Sequence, residues 1–197
     1  MKKCLLLLFL VVIVVCIIYP FTLWGIGQTL FSFQANGSRI KDSENKIIGS
    51  ALIAQPFTQN KYFHPRPSAA NYDAMASASS SLAPSNVLLR HRVEHMLKKL
   101  AKENPQYDQA FPGDMVTTSA SGLDPHITLQ NALLQLDRVS NAIAKKHKLP
   151  QEKIKNEINK ILDEKTLAPF NGLIGEKFVN VLEINLELHK HYGALTE

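Results

Sequence analysis

The chain has 197 residues, 45% of them apolar, which suits one ordinary domain plus an additional segment. The formal charge is +5, from 22 Lys and Arg against 17 Asp and Glu, and +3 once Lys2 and Lys3 are set aside. No run of basic residues accompanies it, so nucleic-acid binding gains no support. Both cysteines, Cys4 and Cys16, fall in the apolar N-terminal stretch, so the remainder has neither disulfide nor thiol chemistry, and cysteine usage does not contradict an oxidising compartment.

From Cys4 to Ser38 no residue is charged, and 5–18 reads "LLLLFLVVIVVCII". About 20 apolar residues span a bilayer core, a length that Leu5 to Trp24 supplies. Tyr19 and Trp24 lie toward the far end, where amphipathic rings favour the interface. Pro20 comes late enough that a kink would not abolish the span. A cleaved signal peptide is the alternative, with "GIG" at 25–27 as a weak cleavage site. Its apolar core is usually shorter, about 7–15 residues, and Val15 before Cys16 does not suit a lipobox. The expectation is a retained anchor over residues 1–34. Lys2 and Lys3 keep the N-terminus in the cytoplasm, which leaves residues 35–197 outside it.

A linker, "QANGSRIKDSENK", follows; "NGS" at 36–38 fits a glycosylation sequon but reads as a turn. "IIGSALIAQPF" resembles a strand interrupted at Gly49. Residues 64–86 are rich in Ser, Ala and Pro without periodicity, a long loop of the kind that is functional or disordered. From Val87 to about Asn104 a helix is expected, with Leu89, Val93, Met96, Leu97 and Leu100 on one face and Pro105 ending it. A second spans Leu129 to His147, with Thr128 as N-cap and a stripe of Leu129, Ala132, Leu133, Leu136, Val139 and Ile143. A third opens at Pro150, a favourable first helical residue, and sets Ile154, Ile158, Ile161 and Leu162 in register. "FVNVLEINLEL", 178–188, suits a strand in its first half. The sum is α+β: a single N-terminal transmembrane helix, then one extracytoplasmic α+β domain.

Three stretches invite a catalytic reading. "HRVEH", 91–95, matches an inverted zinc-protease pattern with His91, Glu94 and His95. At 100° per residue both histidines point away from the apolar face, and a hydrolytic metal needs a third ligand in a shielded cavity. "SASGLDPHIT", 119–128, gathers Ser119, Ser121, Asp124 and His126, yet triad members usually come from distant parts of a chain. Gly122 and Asp-Pro mark a turn there, and no G-x-S-x-G elbow occurs. It is a loop. No phosphate-binding glycine motif is present either. The bottom-up reading names no catalytic and no metal-binding residue; a membrane-anchored metal-dependent hydrolase using His91, Glu94 and His95 stays as the alternative.

Several strings together point further: "QANGS", "GSALIAQPF", "YFHPRPSAANYDA", "PSN", "GDMVTTSASGLDPHIT", "QLDRV" and "VNVLEINLEL". In this order they resemble the C subunit of the bacterial Kdp potassium-transporting P-type ATPase, over nearly the whole chain. Two departures stand out: Ala54 in "LIAQ" replaces a usual glycine, and "SASSS", 77–81, replaces a Gly-rich string. The resemblance implies an accessory subunit with no active site of its own, commonly described as a catalytic chaperone that raises the ATPase subunit's affinity for ATP. Implied partners are a channel-like potassium-translocating subunit, the ATP-hydrolysing P-type subunit and a small single-helix subunit, in the bacterial inner membrane. No cofactor of its own is implied. An ATP contact within the complex is; if any residue makes it, Gln135 of "QLDRV" is the nominee. With the domain outside the cytoplasm, the expected role is instead a scaffold on the outer face of the translocating subunit, with any effect on ATP affinity allosteric. Candidate docking residues are then Arg66, Pro67 and Ser68 of "RPSA", together with Ser119, Ser121, Gly122, Asp124 and His126.

Overall fold

The computed structural model describes residues 2–41, 45–104, 107 and 110–193. Its backbone divides into two compact units, Met1–Ser50 and Ala51–Glu197.

In the first unit, residues Lys2–Leu30 form one continuous 29-residue helical stretch of mean hydropathy 3.2. By length and composition it can cross a membrane. It comprises α1 (Lys2–Ile13), a π-helical turn at Val14–Ile18 and α2 (Tyr19–Leu30). The π turn has a cause in the sequence. Pro20 lacks an N–H and its ring crowds the carbonyl four residues back, that of Cys16, and a widened turn relieves both. Thr22 and Thr29 return their hydroxyls to the carbonyls of Ile18 and Gly25, each at 2.8 Å, so neither is left unpaired on an apolar helix. A short helix, α3 (Ser32–Ala35), leads through a turn at 36–37 into β1 (Arg39–Lys41), antiparallel to β2 (Ile47–Ser50). The expected linker therefore contains a strand. Gly49 sits opposite Ile40 within β2, and the pairing shifts register beside it, between Ile40 and Lys41, so the strand continues with an irregularity next to the glycine. Asp42, Ser43 and Glu44 of the linker lie outside the described residues.

In the second unit, 51–86 has no regular element among its residues. Next comes α4 (Val87–Glu103), capped by Asn86, whose side chain accepts from the Leu88 amide. Pro105, expected to end it, lies outside the described residues. There follow α5 (Gly113–Val116), β3 (His126–Thr128), α6 (Leu129–His147), α7 (Gln151–Lys165), a 3-10 turn at Pro169–Gly172, β4 (Phe178–Asn180) and α8 (Val181–Tyr192). Strands β3 and β4 pair antiparallel, with Ile127 opposite Val179, and both side chains are buried. Each strand runs straight into a helix through a polar cap. Thr128 accepts from the Asn131 amide at α6, and Asn180 from the amides of Leu182 and Glu183 at α8. The core forms where α6, α7 and α8 meet: Leu136, Val139 and Ile143, then Ile154, Ile158 and Leu162, then Ile184 and Leu188, closed by Phe63 from the long loop.

Helix α6 has the expected bounds, but its buried face is rotated. Leu133 is 48% exposed, while Asn131, Gln135 and Ser140 are buried. Gln135 faces inward because it bonds the loop that crosses α6, Asn131 because it bonds Asp114 and Gln135, and Ser140 accepts from Gln151 of α7. On α4, Leu97 is likewise exposed and only Leu100 is buried. Pro150 is the N-cap of α7 and precedes its first helical residue; its ψ of 130° is extended. Residues 181–192 complete the last segment as a helix.

Candidate functional site

The two loops "RPSA" and "SASGLDPHI", about 50 residues apart in sequence, are laced together. Ser68 lies at the centre. Its hydroxyl donates to the Gly122 carbonyl at 2.6 Å and accepts from the amides of Ala70 and Tyr72, both at 3.1 Å. The Ser119 amide donates to the Pro67 carbonyl at 3.3 Å. Successive carbonyls of the second loop then take other segments: Thr118 from Arg66, Ser121 from Ala78, Leu123 from Ala54, and Pro125 from Val181. Buried carbonyls need donors, and here a turn-rich loop without secondary structure finds them in four separate stretches. Ala54 is 3% exposed, and its amide reaches Leu123 at 2.8 Å. The close approach survives a methyl group where a glycine was expected.

Gly122 makes the lacing possible. Its φ is +71°, and a Cβ there would lie 2.8 Å from the Ala78 carbonyl oxygen and 3.0 Å from Ala70. Tyr72, also at positive φ, donates its hydroxyl to the Arg66 carbonyl at 2.8 Å.

Arg66 reaches over this node. It donates to the Thr118 carbonyl at 3.2 Å and stands 3.7 Å from Asp124. Asp124 accepts from His126 twice, from its backbone amide at 3.1 Å and from ring Nδ1 at 2.9 Å. That ring-nitrogen bond foremost holds the Asp124 carboxyl below its ordinary range, with a smaller push from the Arg66 charge. The His126 ring meets Phe178 edge-on at 5.0 Å. Ser121 turns its hydroxyl to the Leu123 amide. The hydroxyl, carboxylate and imidazole of "SASGLDPHIT" thus serve loop backbone and a surface ion pair, and do not line up along one proton path.

Gln135 is 5% exposed and its amide is fully used. Nε2 donates to the His64 carbonyl at 3.1 Å and to Asn131 Oδ1 at 2.7 Å; Oε1 accepts from the His64 amide at 2.7 Å and from Arg138 at 2.6 Å. Asn131 in turn donates to Asp114, which also accepts from the Thr128 amide at 2.8 Å. One residue along the loop, Asn185 of α8 grips Phe63 in the same bidentate way, at 2.8 and 2.9 Å. A cavity of about 270 Å³ opens beside Gln135, with His64, Lys99, Glu103 and Arg138 on its walls. Burial first, and the Arg138 charge second, lower the His64 pKa to about 4, so its ring is neutral at pH 7. Burial lowers Arg138 to about 10, which leaves it charged. Two cations and one carboxylate on the walls suit a small polar or anionic molecule.

His91 and Glu94 of "HRVEH" lie on the outer side of α4, with side chains 70% and 51% exposed and 3.9 Å apart. His95 is exposed beside them. Among the described residues no group of three His, Cys, Asp or Glu side chains is placed to hold a metal ion.

A family model described as K+-transporting ATPase, c chain (KdpC) matches residues 1–190. The chain belongs to the KdpC family. Among its relatives, the "Potassium-transporting ATPase KdpC subunit" of Myxococcus xanthus is 40% identical over 183 residues, 92% of this chain and 83% of the relative. The protein of that name from Caulobacter vibrioides strain NA1000 / CB15N is 42% identical, covering 90% and 86%. The one from Bacillus cereus strain Q1 is 41% identical, covering 90% and 89%. KdpC-family membership gives the laced loops a setting: they belong to a chain of a potassium-transporting ATPase.

Sequence reasoning missed Asp114, Asn131 and Asn185, which hold the site together. A signal existed. Asn131 and Gln135 stand four residues apart at the edge of an apolar stripe, and Asn180 and Asn185 lie among the aliphatic residues of "FVNVLEINLEL". Polar residues at buried helical positions predict bonds to backbone that has no ladder of its own.

Proposed function

We propose that the chain is a non-catalytic accessory subunit of a high-affinity, ATP-driven potassium uptake complex, needed for its assembly. The observation that carries this is the KdpC match over residues 1–190. In this reading Lys2–Leu30 anchors the chain in the bacterial inner membrane. Lys2 and Lys3 keep the N-terminus in the cytoplasm, and residues 35–197 lie in the periplasm. The partners are the channel-like potassium-translocating subunit, the ATP-hydrolysing subunit and a small single-helix subunit.

Two consequences concern ATP. A periplasmic domain does not meet the nucleotide, so any chaperone-like rise in ATP affinity is a coupling free energy between distant sites. Gln135, whose four bonds are internal, acts as a pin for the His64 loop, and a nucleotide would have to displace those bonds to reach it. The docking surface comprises the exposed parts of the laced loops, with Arg66, Asp124 and His126 at its rim. The partly exposed charges of Arg66 and Asp124 suit recognition more than they suit stability.

The test is a mild-detergent pull-down of the full-length chain from native membranes grown at limiting potassium, with partners identified by mass. Co-purification of potassium-stimulated ATP hydrolysis is expected. A chain eluting alone, under conditions that keep membrane complexes intact, refutes the subunit reading. A reporter at the C-terminus that proves cytoplasmic refutes the orientation.

A further inference from the structure

Arg138 is a half-buried cation on α6 without a carboxylate partner. Its Nη1 donates to the Asn60 carbonyl at 2.8 Å and its Nη2 to Gln135 Oε1 at 2.6 Å, both neutral acceptors. The acidic side chains nearest to it are committed elsewhere. Glu103 pairs with Lys99 at 3.9 Å, and Asp137 with Lys155 at 2.6 Å. An arginine carries five N–H donors, so the two in use fix the plane of the guanidinium and leave the others for a ligand. Burying a charge without its counter-ion is costly, and burial lowers the Arg138 pKa to about 10, an effect Glu103 only partly offsets. This guanidinium forms part of the wall of the cavity of about 270 Å³ beside Gln135. Lys99 and Glu103 stand on the same wall, while His64 is neutral at pH 7. Two cations against one carboxylate leave a single positive charge. Phe57, Met96, Met115 and Leu134 make much of the remaining lining apolar.

We propose that this cavity binds a small monocarboxylate with a short apolar body, its carboxylate paired with Arg138. The planar fork of a guanidinium matches the two oxygens of a carboxylate in paired hydrogen bonds. Charge selects a monoanion. One excess positive charge balances one negative charge, whereas Glu103 repels the second charge of a dianion such as phosphate. The apolar lining gives the rest of the ligand its place, since small-molecule sites pair a mostly apolar wall with a few fixed polar groups. Size sets the upper limit. A volume of about 270 Å³ holds about nine groups of water's ~30 Å³, too few for a nucleotide. Asn60 and Gln135 hold the guanidinium in place before a ligand arrives, which reduces the ordering that binding requires.

Isothermal titration into the full-length chain, held in lipid nanodiscs, tests this. The probes are benzoate and 3-methylbutanoate, with benzamide as the uncharged counterpart, and inorganic phosphate and ATP as the rival anions. Empty nanodiscs supply the partitioning blank. At least one carboxylate is expected to saturate a single site per chain with Kd below about 1 mM, and benzamide to bind at least about tenfold more weakly than benzoate. Arg138→Met should weaken the carboxylate about tenfold or more. Lys99→Met should weaken it a few-fold with parental melting, because that side chain is 60% exposed and held only by Glu103. No saturable binding of either carboxylate at about 10 mM overturns the proposal. So does benzamide binding as tightly as benzoate, tighter binding of phosphate or ATP, or parental affinity in Arg138→Met. Should Arg138→Met fail to fold, having also released Asn60 and Gln135, the benzamide comparison in the parent chain decides the matter.

Discussion

Gln135 pairs with His64 as one strand residue pairs with another: its Nε2 donates to the His64 carbonyl at 3.1 Å, and its Oε1 accepts from the His64 amide at 2.7 Å. A helix side chain thereby supplies the ladder that the long loop lacks. Asn185 does the same for Phe63 from α8, so two helices hold two consecutive loop residues, and the Phe63 ring is pressed into the core.

Gln135→Ala should lower the stability of the full-length chain by about 1–3 kcal/mol, because the half-buried His64 amide and the buried Asn131 Oδ1 lose their partners. Gln135→Glu should cost as much or more, since a carboxylate oxygen would then face the His64 carbonyl and Asn131 Oδ1, which need a donor. Thermal melting followed by circular dichroism measures both. Parental melting with weakened nucleotide binding would instead make Gln135 a ligand-binding residue.

At the loop junction, Gly122→Ala should cost about 1–3 kcal/mol through overpacking against Ala78 and Ala70. The strain of positive φ adds to this. Gly113→Ala is the control: a Cβ there meets nothing within 4 Å. Its effect should stay within about 0.5 kcal/mol. Equal melting temperatures for the two variants would refute the close approach.

Acid should loosen the loop over a defined window. The His64 pKa is about 4 in the fold against an ordinary 6.5, so the unfolded chain binds the extra proton between these values. Stability is full above pH 6.5, declines as pH falls toward 4, and is level in this term below that. Partial exposure of the ring limits the loss to about 1–2 kcal/mol. Asp124, also lowered, from its ordinary 3.8, gives up its share only as pH falls below that value. His64→Gln should flatten the decline between pH 6.5 and 4 in urea titrations; an unchanged slope would assign it to other groups.

Replacing His91 and His95 together by Ala should leave both assembly and potassium-stimulated ATP hydrolysis of the complex within error of the parent. Both side chains lie on the exposed side of α4, where surface substitutions usually shift stability by less than about 0.5 kcal/mol. Loss of a metal-dependent hydrolytic activity in this variant would revive the hydrolase alternative.

Local chemistry made much of the fold legible. The uncharged N-terminal run, the Thr128 cap, the stripe Ile154, Ile158, Ile161 and Leu162, and the order of motifs leading to the family all depend on neighbours in sequence. Periodicity and capping report on such neighbours directly. The strand β1, the exposure of Leu97 and Leu133, and the inward turn of Asn131 and Gln135 do not. A three-residue strand has too short a pattern to read. Which side of a helix is buried depends on what crosses it.

By itself, then, the sequence determined an apolar helix long enough for a membrane, an α+β domain behind it, and membership of one family. Only the tertiary structure decided what "RPSA" and "SASGLDPHI" are for within the domain. Loops without ladders must find hydrogen-bond donors far along the chain, so Ser68 meets Gly122 and Gln135 meets His64 across 54 and 71 residues. Those pairings follow from burying the carbonyls, and no local spacing records them.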